Sequence, residues 1–272
     1  MDPYHPVLTQ AERPPTYLVT ASDETGQIKP SAIAGEWPLT IYLDRREIVT
    51  LMTNGAHPEL LTLGYLRNQR IVERIEDIIA VQVDWQAESA AVTTIGLTGT
   101  VDRRLERRTV TTGCGQGTQY GNLVEELKQI RIIPRSIRQS ALYGLLRNIS
   151  QMNELYRTAG AVHGCALCQE DQVICFIEDV GRHNAVDAIA GKMWLERIAG
   201  EDKSFYTTGR LTSEMVIKVV QMGIPILISR SGVTKMGYDL ATQAGVTLIA
   251  RAKGRHFLVY HGADRIVLDQ PD

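Results

Sequence analysis

The chain has 272 residues, of which 44% are hydrophobic and 22% are charged, and its formal net charge is -2. A chain of this length and composition can bury a large core in one domain or in two unequal ones, which excludes an intrinsically disordered protein. The near-neutral charge excludes a global attraction to nucleic acid or to an anionic membrane. No apolar run reaches the roughly 20 residues that cross a bilayer, and no secretory signal is recognisable. We therefore expect a cytoplasmic protein with no membrane or nucleic-acid partner.

The first third of the chain is predicted to be rich in β-structure. Short β-branched segments alternate with polar or glycine-containing breaks. These segments predict strands at 15–20, 38–43, 47–53, 78–85 and 90–97. Asp44, Arg45 and Arg46 separate two of the strands and predict a hairpin. A helix is predicted over 57–68, with Pro58 in the first turn, where proline is tolerated.

A glycine-rich stretch, TTGCGQGT at 111–118, carries one of the four cysteines. The glycines around Cys114 give the backbone wide freedom and leave the thiol sterically open, which predicts a mobile arm. The preceding segment VDRRLERR supplies four arginines whose positive field could lower the pKa of the thiol. The alternative interpretation is an ordinary glycine-rich turn with an incidental cysteine.

From Ser136 onward the apolar residues recur at steps of three and four, so one long helix is predicted over 136–157. Beyond it, strands are predicted at 161–168, 173–177, 204–207, 224–229, 246–250 and 257–260, and helices at 184–198, 213–222 and 235–244. Such alternation predicts crossover connections and a mixed, largely parallel sheet flanked by helices. We predict an α/β protein with a smaller β-rich domain at 1–134, which ends in the Cys114 loop, and a larger α/β domain at 135–272.

Three polar loops of this second part, EDVGRHN (178–184), TTGRLTSE (207–214) and SRSGVTK (229–235), follow predicted strands. The carboxyl ends of parallel strands meet at one edge of a sheet, so these loops predict a site for an anionic, nucleotide-like ligand. His183 could serve as acid or base near neutral pH, and Asn184 could cap the helix that starts there. The alternative is a capped turn in which Arg182 pairs with Glu178 or Asp179.

The segment HGCALC at 163–168 combines a Cys-x-x-Cys spacing with a histidine. His163, Cys165 and Cys168 could bind zinc or form a redox pair, with Cys175 as a further ligand. The segment also has the pattern of a strand, in which Cys165 and Cys168 point to opposite faces. The sequence favours cysteines that act as small buried hydrophobic residues.

Four ordered motifs together resemble the FdhD/NarQ family of formate dehydrogenase accessory sulfurtransferases. They are GEWPLTIYLDRREIVTLMTNGAHPELLTLGYLRNQRIV, CFIEDVGRHNAVDAIAGK, TTGRLTSEMVIKVVQMGIPILISRSGVT and AGVTLIARAKGRHFLVY. The second is close to the family signature "EDxGRHNAxDK", and the third matches "TSGRxSxEMVxK". The similarity covers the chain from about Pro38 onward.

The resemblance implies a cytoplasmic sulfur carrier whose larger domain is similar to the cytidine deaminase fold and which forms a homodimer. Such a protein accepts sulfur as a persulfide from a cysteine desulfurase. It passes the sulfur to the bis-guanylyl molybdenum cofactor before this enters the formate dehydrogenase catalytic subunit, and no permanently bound metal is expected. The persulfide would form on Cys114. The residues implied in cofactor binding are Arg251, Ala252, Lys253, Gly254, Arg255 and His256, together with Arg182, His183, Gly209, Arg210, Ser229 and Ser231.

The chain also departs from the family pattern. The family loop has the form "SSCGxCG", and Gly117 stands where its second cysteine would fall. Cys165 and Cys168 are extra, and they could provide a second thiol only if the arm folds onto their strand. Arg251 and Lys253 replace a usual aromatic residue and a usual arginine. Two alternatives therefore remain: a nucleotide- or cofactor-binding chaperone that has lost transfer chemistry, and a deaminase-like zinc hydrolase.

Overall fold

The structure is a computed structural model that describes residues 5–96, 109–110, 117–118 and 130–270. Its N-terminal part contains a five-stranded mixed sheet of order β1-β6-β7-β4-β5 and a separate β2–β3 hairpin. The strands are β1 (Val7–Leu8), β2 (Thr16–Ser22), β3 (Ile28–Ala34), β4 (Trp37–Leu43), β5 (Arg46–Thr53), β6 (Ile78–Asp84) and β7 (Ser89–Thr94). All five strands predicted in this region are confirmed. The short β1 and the exposed β3 were not predicted.

The hairpin predicted between β4 and β5 is confirmed, and its turn has an unusual backbone. Asp44 and Arg45 both have positive φ angles, of 45° and 72°. Two such residues in succession match the twist of the flanking strands. The Asp44 carboxylate accepts a hydrogen bond from the Thr94 N–H at 2.9 Å, which fastens the turn to β7.

The second part of the chain forms a six-stranded sheet of order β12-β11-β13-β14-β15-β16. Its strands are β11 (His163–Gln169), β12 (Gln172–Asp179), β13 (Ser204–Thr207), β14 (Ile226–Ser229), β15 (Thr247–Lys253) and β16 (His256–His261). The sheet is mixed, as predicted, but parallel pairing is confined to β13, β14 and β15. The outer strands pair antiparallel because short connections fold β12 back on β11 and β16 back on β15.

Six helices lie in the described ranges. They are α1 (Pro58–Asn68), α2 (Gln139–Met152), α3 (Glu154–Ala159), α4 (Arg182–Leu195), α5 (Ser213–Gln221) and α6 (Lys235–Ala244). Two-residue strands complete the fold: β8 (Thr109–Val110) pairs with β9 (Gly117–Thr118), and β10 (Ile137–Arg138) pairs with β17 (Ile266–Val267). None of the helices described is both long and apolar enough to cross a lipid bilayer.

The structure contains two helices instead of the single helix predicted over 136–157, because the first helix ends before Asn153. This residue has a ψ of 58°, which is not helical, and it separates α2 from α3. Its side-chain amide donates to the Ile149 carbonyl at 2.9 Å. The side chain thus provides a hydrogen-bond donor for a carbonyl near the end of α2. The break could not be predicted, because the apolar periodicity continues across it.

Helices cover both faces of the six-stranded sheet, as predicted. One face, which includes Cys165 and Leu227, packs on α4, α5 and α6 and shares its core with the five-stranded sheet and α1. The opposite face, which includes Ala166 and Ile228, packs on α2. The predicted domain boundary at 134–135 stays a prediction.

The two parts of the chain approach each other closely where α1 crosses α4. A Cβ atom built on Gly64 would lie 1.6 Å from the Asp187 carbonyl oxygen, and one on Gly191 would lie 2.0 Å from the Leu60 carbonyl oxygen. The Arg67 guanidinium also donates to the Ala190 carbonyl at 3.0 Å. Glycine at both positions therefore allows the two backbones to touch.

We expect Gly64→Ala to destabilise the protein by about 3 kcal/mol or more, because the added methyl group forces α1 and α4 apart. Urea unfolding followed by circular dichroism measures the change. Gly232→Ala is the matched control, since a Cβ atom there meets nothing within 4 Å. Equal stability of the two variants would contradict the close helix crossing.

Candidate functional site

The carboxyl ends of β13, β14 and β15 meet at one edge of the sheet and are joined by hydrogen bonds. The Arg230 N–H donates to the Thr207 carbonyl at 3.1 Å, and the Arg251 N–H donates to the Ser231 carbonyl at 2.9 Å. The Ser229 hydroxyl donates to the Gly209 carbonyl at 2.6 Å. Two of the three predicted loops are thus held together at the edge where open α/β sheets bind ligands.

The third predicted loop reaches the same place through the first residue of α4. A Cβ atom on Gly209 would lie 2.6 Å from the Arg182 side chain, so glycine is required for this approach. Arg182 is buried, whereas Arg210 and Arg230 are exposed. The Arg230 guanidinium also lies over the ring of Tyr156, 5.3 Å from its centroid.

The first residue of β11, His163, completes this group. Its Nδ1 lies 3.4 Å from the Thr208 hydroxyl oxygen. Its pKa is lowered by burial and by the positive charges of Arg182, Arg230 and Arg210. The three guanidinium groups and a neutral imidazole form a cationic edge suited to phosphate groups. We call Arg182, Arg210, Arg230 and His163 the arginine edge.

His183, predicted as an acid or base and as a cofactor-binding residue, lies in the interior. Only 2% of it is exposed, and burial with neighbouring positive charges, chiefly Lys218 and Arg182, lowers its pKa to about 2. Its Nε2 lies 3.3 Å from a Glu214 carboxylate oxygen. Burial of this degree does not favour acid–base work, and the acid–base and cofactor-binding roles of His183 stay predictions.

Asn184 does not cap α4 as predicted, because the helix already begins at Arg182 with Gly181 as its N-cap. Asn184 instead donates to the Asp179 carboxylate at 2.8 Å. The same carboxylate accepts hydrogen bonds from the Gly181 N–H at 3.0 Å and from the Thr53 hydroxyl at 2.6 Å. The polar residues of EDVGRHN therefore tie the end of β5 to the start of α4.

A buried ion pair lies behind the arginine edge. The Lys218 ammonium is 2.7 Å from the Asp187 carboxylate, and the two side chains are 2% and 0% exposed. The Asn68 amide donates to the other Asp187 oxygen at 2.7 Å. Residues from α1, α4 and α5 thus meet in one polar network, which gives part of the family signature a structural role.

The three cysteines of the described chain do not form a site. Cys165 and Cys168 lie on opposite faces of β11, in separate cores. Burial raises the pKa of Cys165 to about 12 and that of Cys175 to about 11, and it raises the pKa of Cys168 as well. The zinc and redox-pair interpretations are therefore wrong for Cys165 and Cys168, whereas their interpretation as buried apolar residues is confirmed. The second-thiol interpretation depends on the Cys114 arm, which lies outside the described residues, and stays a prediction. No group of three or more His, Cys, Asp or Glu residues in the described part of the chain is arranged to bind a metal.

Cys114 lies outside the described residues. The backbones of β8 and β9, which precede and follow it in the sequence, pair antiparallel, with Val110 opposite Gly117. The role predicted for Cys114 stays a prediction.

The hexapeptide at 251–256 spans the end of β15, the turn and the start of β16. Its residues lie against two different parts of the protein. Arg251, with a positive φ of 52°, is bound through its backbone to the Ser231 loop. Arg255 instead lies over the ring of Tyr143 in α2, at 5.2 Å, and Ala252 is buried. The fold thus brings Arg251 to the loop edge and Arg255 to α2. Their predicted cofactor contacts, like those of Lys253, Gly254 and His256, stay predictions.

Comparison with known proteins identifies the relatives of this chain. The sequence model of the FdhD/NarQ family matches residues 34–267. The "Sulfur carrier protein FdhD" of Listeria monocytogenes serotype 4b (strain F2365) is 28% identical over 239 residues, which cover 87% of this chain and 92% of that protein. The protein of the same name from Wolinella succinogenes is 30% identical over 231 residues, covering 85% and 80% of the two chains.

Structural comparison agrees with this. The crystal structure of a formate dehydrogenase accessory protein from Desulfotalea psychrophila is similar to this fold, with a TM-score of 0.73 and 27% identity. The match covers 93% of this chain and 98% of that one. The predicted resemblance and the predicted α/β fold class are confirmed. The chain belongs to the FdhD/NarQ family.

Proposed function

We propose that this protein carries sulfur for the maturation of formate dehydrogenase. It accepts sulfur from a cysteine desulfurase as a persulfide on Cys114 and transfers it to the bis-guanylyl molybdenum cofactor before the cofactor enters the apoenzyme. The relatives named as sulfur carriers and the structural neighbour named as a formate dehydrogenase accessory protein support this role. The proposal also includes a cytoplasmic location and a homodimer.

The observation that carries the proposal is the arginine edge. A cofactor with two guanylyl groups presents diphosphates, which guanidinium groups bind through charge-assisted hydrogen bonds. Arg210 and Arg230 are exposed and act together with Arg182 on His163. The loops that carry them lead into α5 and α6, whose N-terminal N–H groups favour anions.

The chemistry of the thiols supports Cys114 as the carrier. Cys165, Cys168 and Cys175 have raised pKa values and remain protonated near neutral pH. Of the four cysteines, this leaves Cys114 to attack the sulfane sulfur of the desulfurase persulfide. One sulfur–sulfur bond forms at Cys114 while another breaks, and the desulfurase thiolate leaves.

Gly117 gives the release of sulfur a particular requirement. In a loop with two cysteines, the second thiol can displace the sulfane sulfur as hydrosulfide and form a disulfide. With Gly117 at that position, the loop itself cannot supply the second thiol. Release from Cys114 therefore depends on a thiol from outside the loop.

We expect Arg210→Ala and Arg230→Ala each to weaken GDP binding about tenfold or more, because a hydrogen bond to a charged group contributes about 1.5–3 kcal/mol. Isothermal titration calorimetry measures the affinities. Arg138→Ala is the matched control, since this exposed arginine pairs with Glu170 beside the amino-terminal end of α2. Equal GDP affinity in all three variants would contradict binding at the arginine edge.

One observation favours a second candidate function. Gly117 in place of a second cysteine is compatible with a chaperone that binds the cofactor without transferring sulfur. Such a protein would bind GDP through the same arginines but would form no persulfide on Cys114. Both functions therefore predict GDP binding, and only the sulfur-carrier function predicts a persulfide on Cys114.

A further inference from the structure

The imidazole of His163 is the one member of the arginine edge that can change its charge near neutral pH. It stands at the first position of β11, half-buried, at the same edge as the ends of β13 and β14. Its Nδ1 is 3.4 Å from the Thr208 hydroxyl oxygen, and that oxygen accepts the Gly164 N–H at 3.1 Å. The side chain is therefore held at the edge while remaining partly open to solvent.

Charged and titratable residues of four elements lie near this imidazole along the chain or across the paired strands. They are Arg182 and His183 of α4, Arg210 and Arg230 of the loops after β13 and β14, and Glu178 and Asp179 of β12. The strongest charges that act on it are all positive, and together with burial they lower its pKa. In the free protein His163 is therefore neutral near pH 7.

The two carboxylates are occupied by other partners. Glu178 accepts the backbone N–H groups of Leu155 and Tyr156, each at 3.0 Å. Asp179 is buried among donors from Thr53 and Asn184. Neither carboxylate offsets the positive charge that the arginines place around His163. The other nearby imidazole, that of His183, is enclosed in the interior.

We propose that His163 is a fourth cationic ligand of the bound diphosphate, which takes up one proton from solvent when the anion binds at the arginine edge. The inference rests on the proposed cofactor-binding function of this edge. His163 binds the anion when its imidazole is protonated and does not bind it when the imidazole is neutral.

The reason is electrostatic linkage. An anion among Arg182, Arg210 and Arg230 cancels the field that keeps the imidazole neutral, and an opposite charge within about 4–6 Å favours the protonated form by about 1–3 pKa units. The Thr208 hydroxyl can donate to a neutral Nδ1 or accept from a protonated one, so the contact survives in both states.

The sign of the pH dependence follows from this. The complex holds one more proton than the free protein, so the anion binds more tightly as pH falls through the window between the free and the bound pKa of His163. Above the bound pKa the contribution of the imidazolium disappears. His163→Gln removes this part of the pH dependence, while the ionisation of diphosphate itself is unchanged.

The test is an NMR titration of the histidine imidazoles of the full chain from about pH 5 to about pH 8, without and with saturating inorganic diphosphate. His163→Gln assigns the resonance. We expect diphosphate to raise the pKa of His163 by about one unit or more. His57, whose Nδ1 lies 3.6 Å from a Glu12 carboxylate oxygen at the start of α1, serves as the internal control.

Two outcomes would overturn the inference, and they are distinguishable. Bound diphosphate with an unchanged His163 titration would refute the fourth ligand and leave the proposed function intact. Absence of diphosphate binding would refute the proposed cofactor edge and the inference together. The wild-type titration decides both, and the variant serves only to assign the resonance.

Discussion

Replacing Cys114 with serine is expected to abolish sulfur transfer and to lower formate dehydrogenase activity by about 100-fold or more. A hydroxyl group cannot form a persulfide. Cys165 and Cys168 are buried and Cys175 is half-buried, and all three thiols have raised pKa values. The measurement is formate dehydrogenase activity in cells that lack their own carrier and express the variant. Circular dichroism checks that the variant is folded.

Cys175→Ala is the control for this experiment. Cys175 lies in β12, packed against the core, so the substitution removes a thiol without touching the loop. We expect it to retain nearly full activity. If Cys114→Ser were as active as this control, Cys114 would not be the sulfur carrier.

Lys218→Met is expected to destabilise the protein by about 3–5 kcal/mol, because it leaves the Asp187 carboxylate buried without its partner. Both side chains of the pair are at most 2% exposed. Asn68 supplies a hydrogen bond to Asp187 but no positive charge. Urea unfolding at neutral pH measures the change in the free energy of unfolding.

Two further variants separate the effect of an unpaired charge from that of a lost contact. The double variant Lys218→Met with Asp187→Leu removes both charges, and we expect it to recover a large part of the lost stability. Lys192→Met breaks the more exposed pair with Glu196 and is expected to cost less than about 1 kcal/mol. A Lys218→Met variant as stable as Lys192→Met would refute the importance of the buried pair.

Most of the regular elements were predictable because their residues repeat with a clear period. The boundaries of β13 at Ser204–Thr207 and of α6 at Lys235–Ala244 match the prediction at both ends. The break at Asn153 was not predictable, because a side-chain hydrogen bond to Ile149 interrupts the helix without interrupting its apolar pattern. The antiparallel edges were missed, although the short connections from β11 to β12 and from β15 to β16 allow only antiparallel pairing.

The loops that form the candidate site were predictable, but the burial of their individual side chains was not. The loops after β13 and β14 could be identified because Gly, Ser, Thr and Arg follow apolar strands. Burial could not be read from the sequence: the fold encloses His183 beside Glu214, and its predicted contact with the cofactor stays a prediction. His163 was considered only together with Cys165 and Cys168, because its place at this edge depends on the antiparallel pairing of β11 with β13, which the sequence did not predict.

The most direct test of the proposed function is to incubate the protein with a cysteine desulfurase and cysteine, and to map the sulfane sulfur by mass spectrometry. We expect an added sulfur atom on Cys114 and none on Cys165, Cys168 or Cys175. An unmodified Cys114 in a protein that still activates formate dehydrogenase would contradict sulfur transfer through this residue.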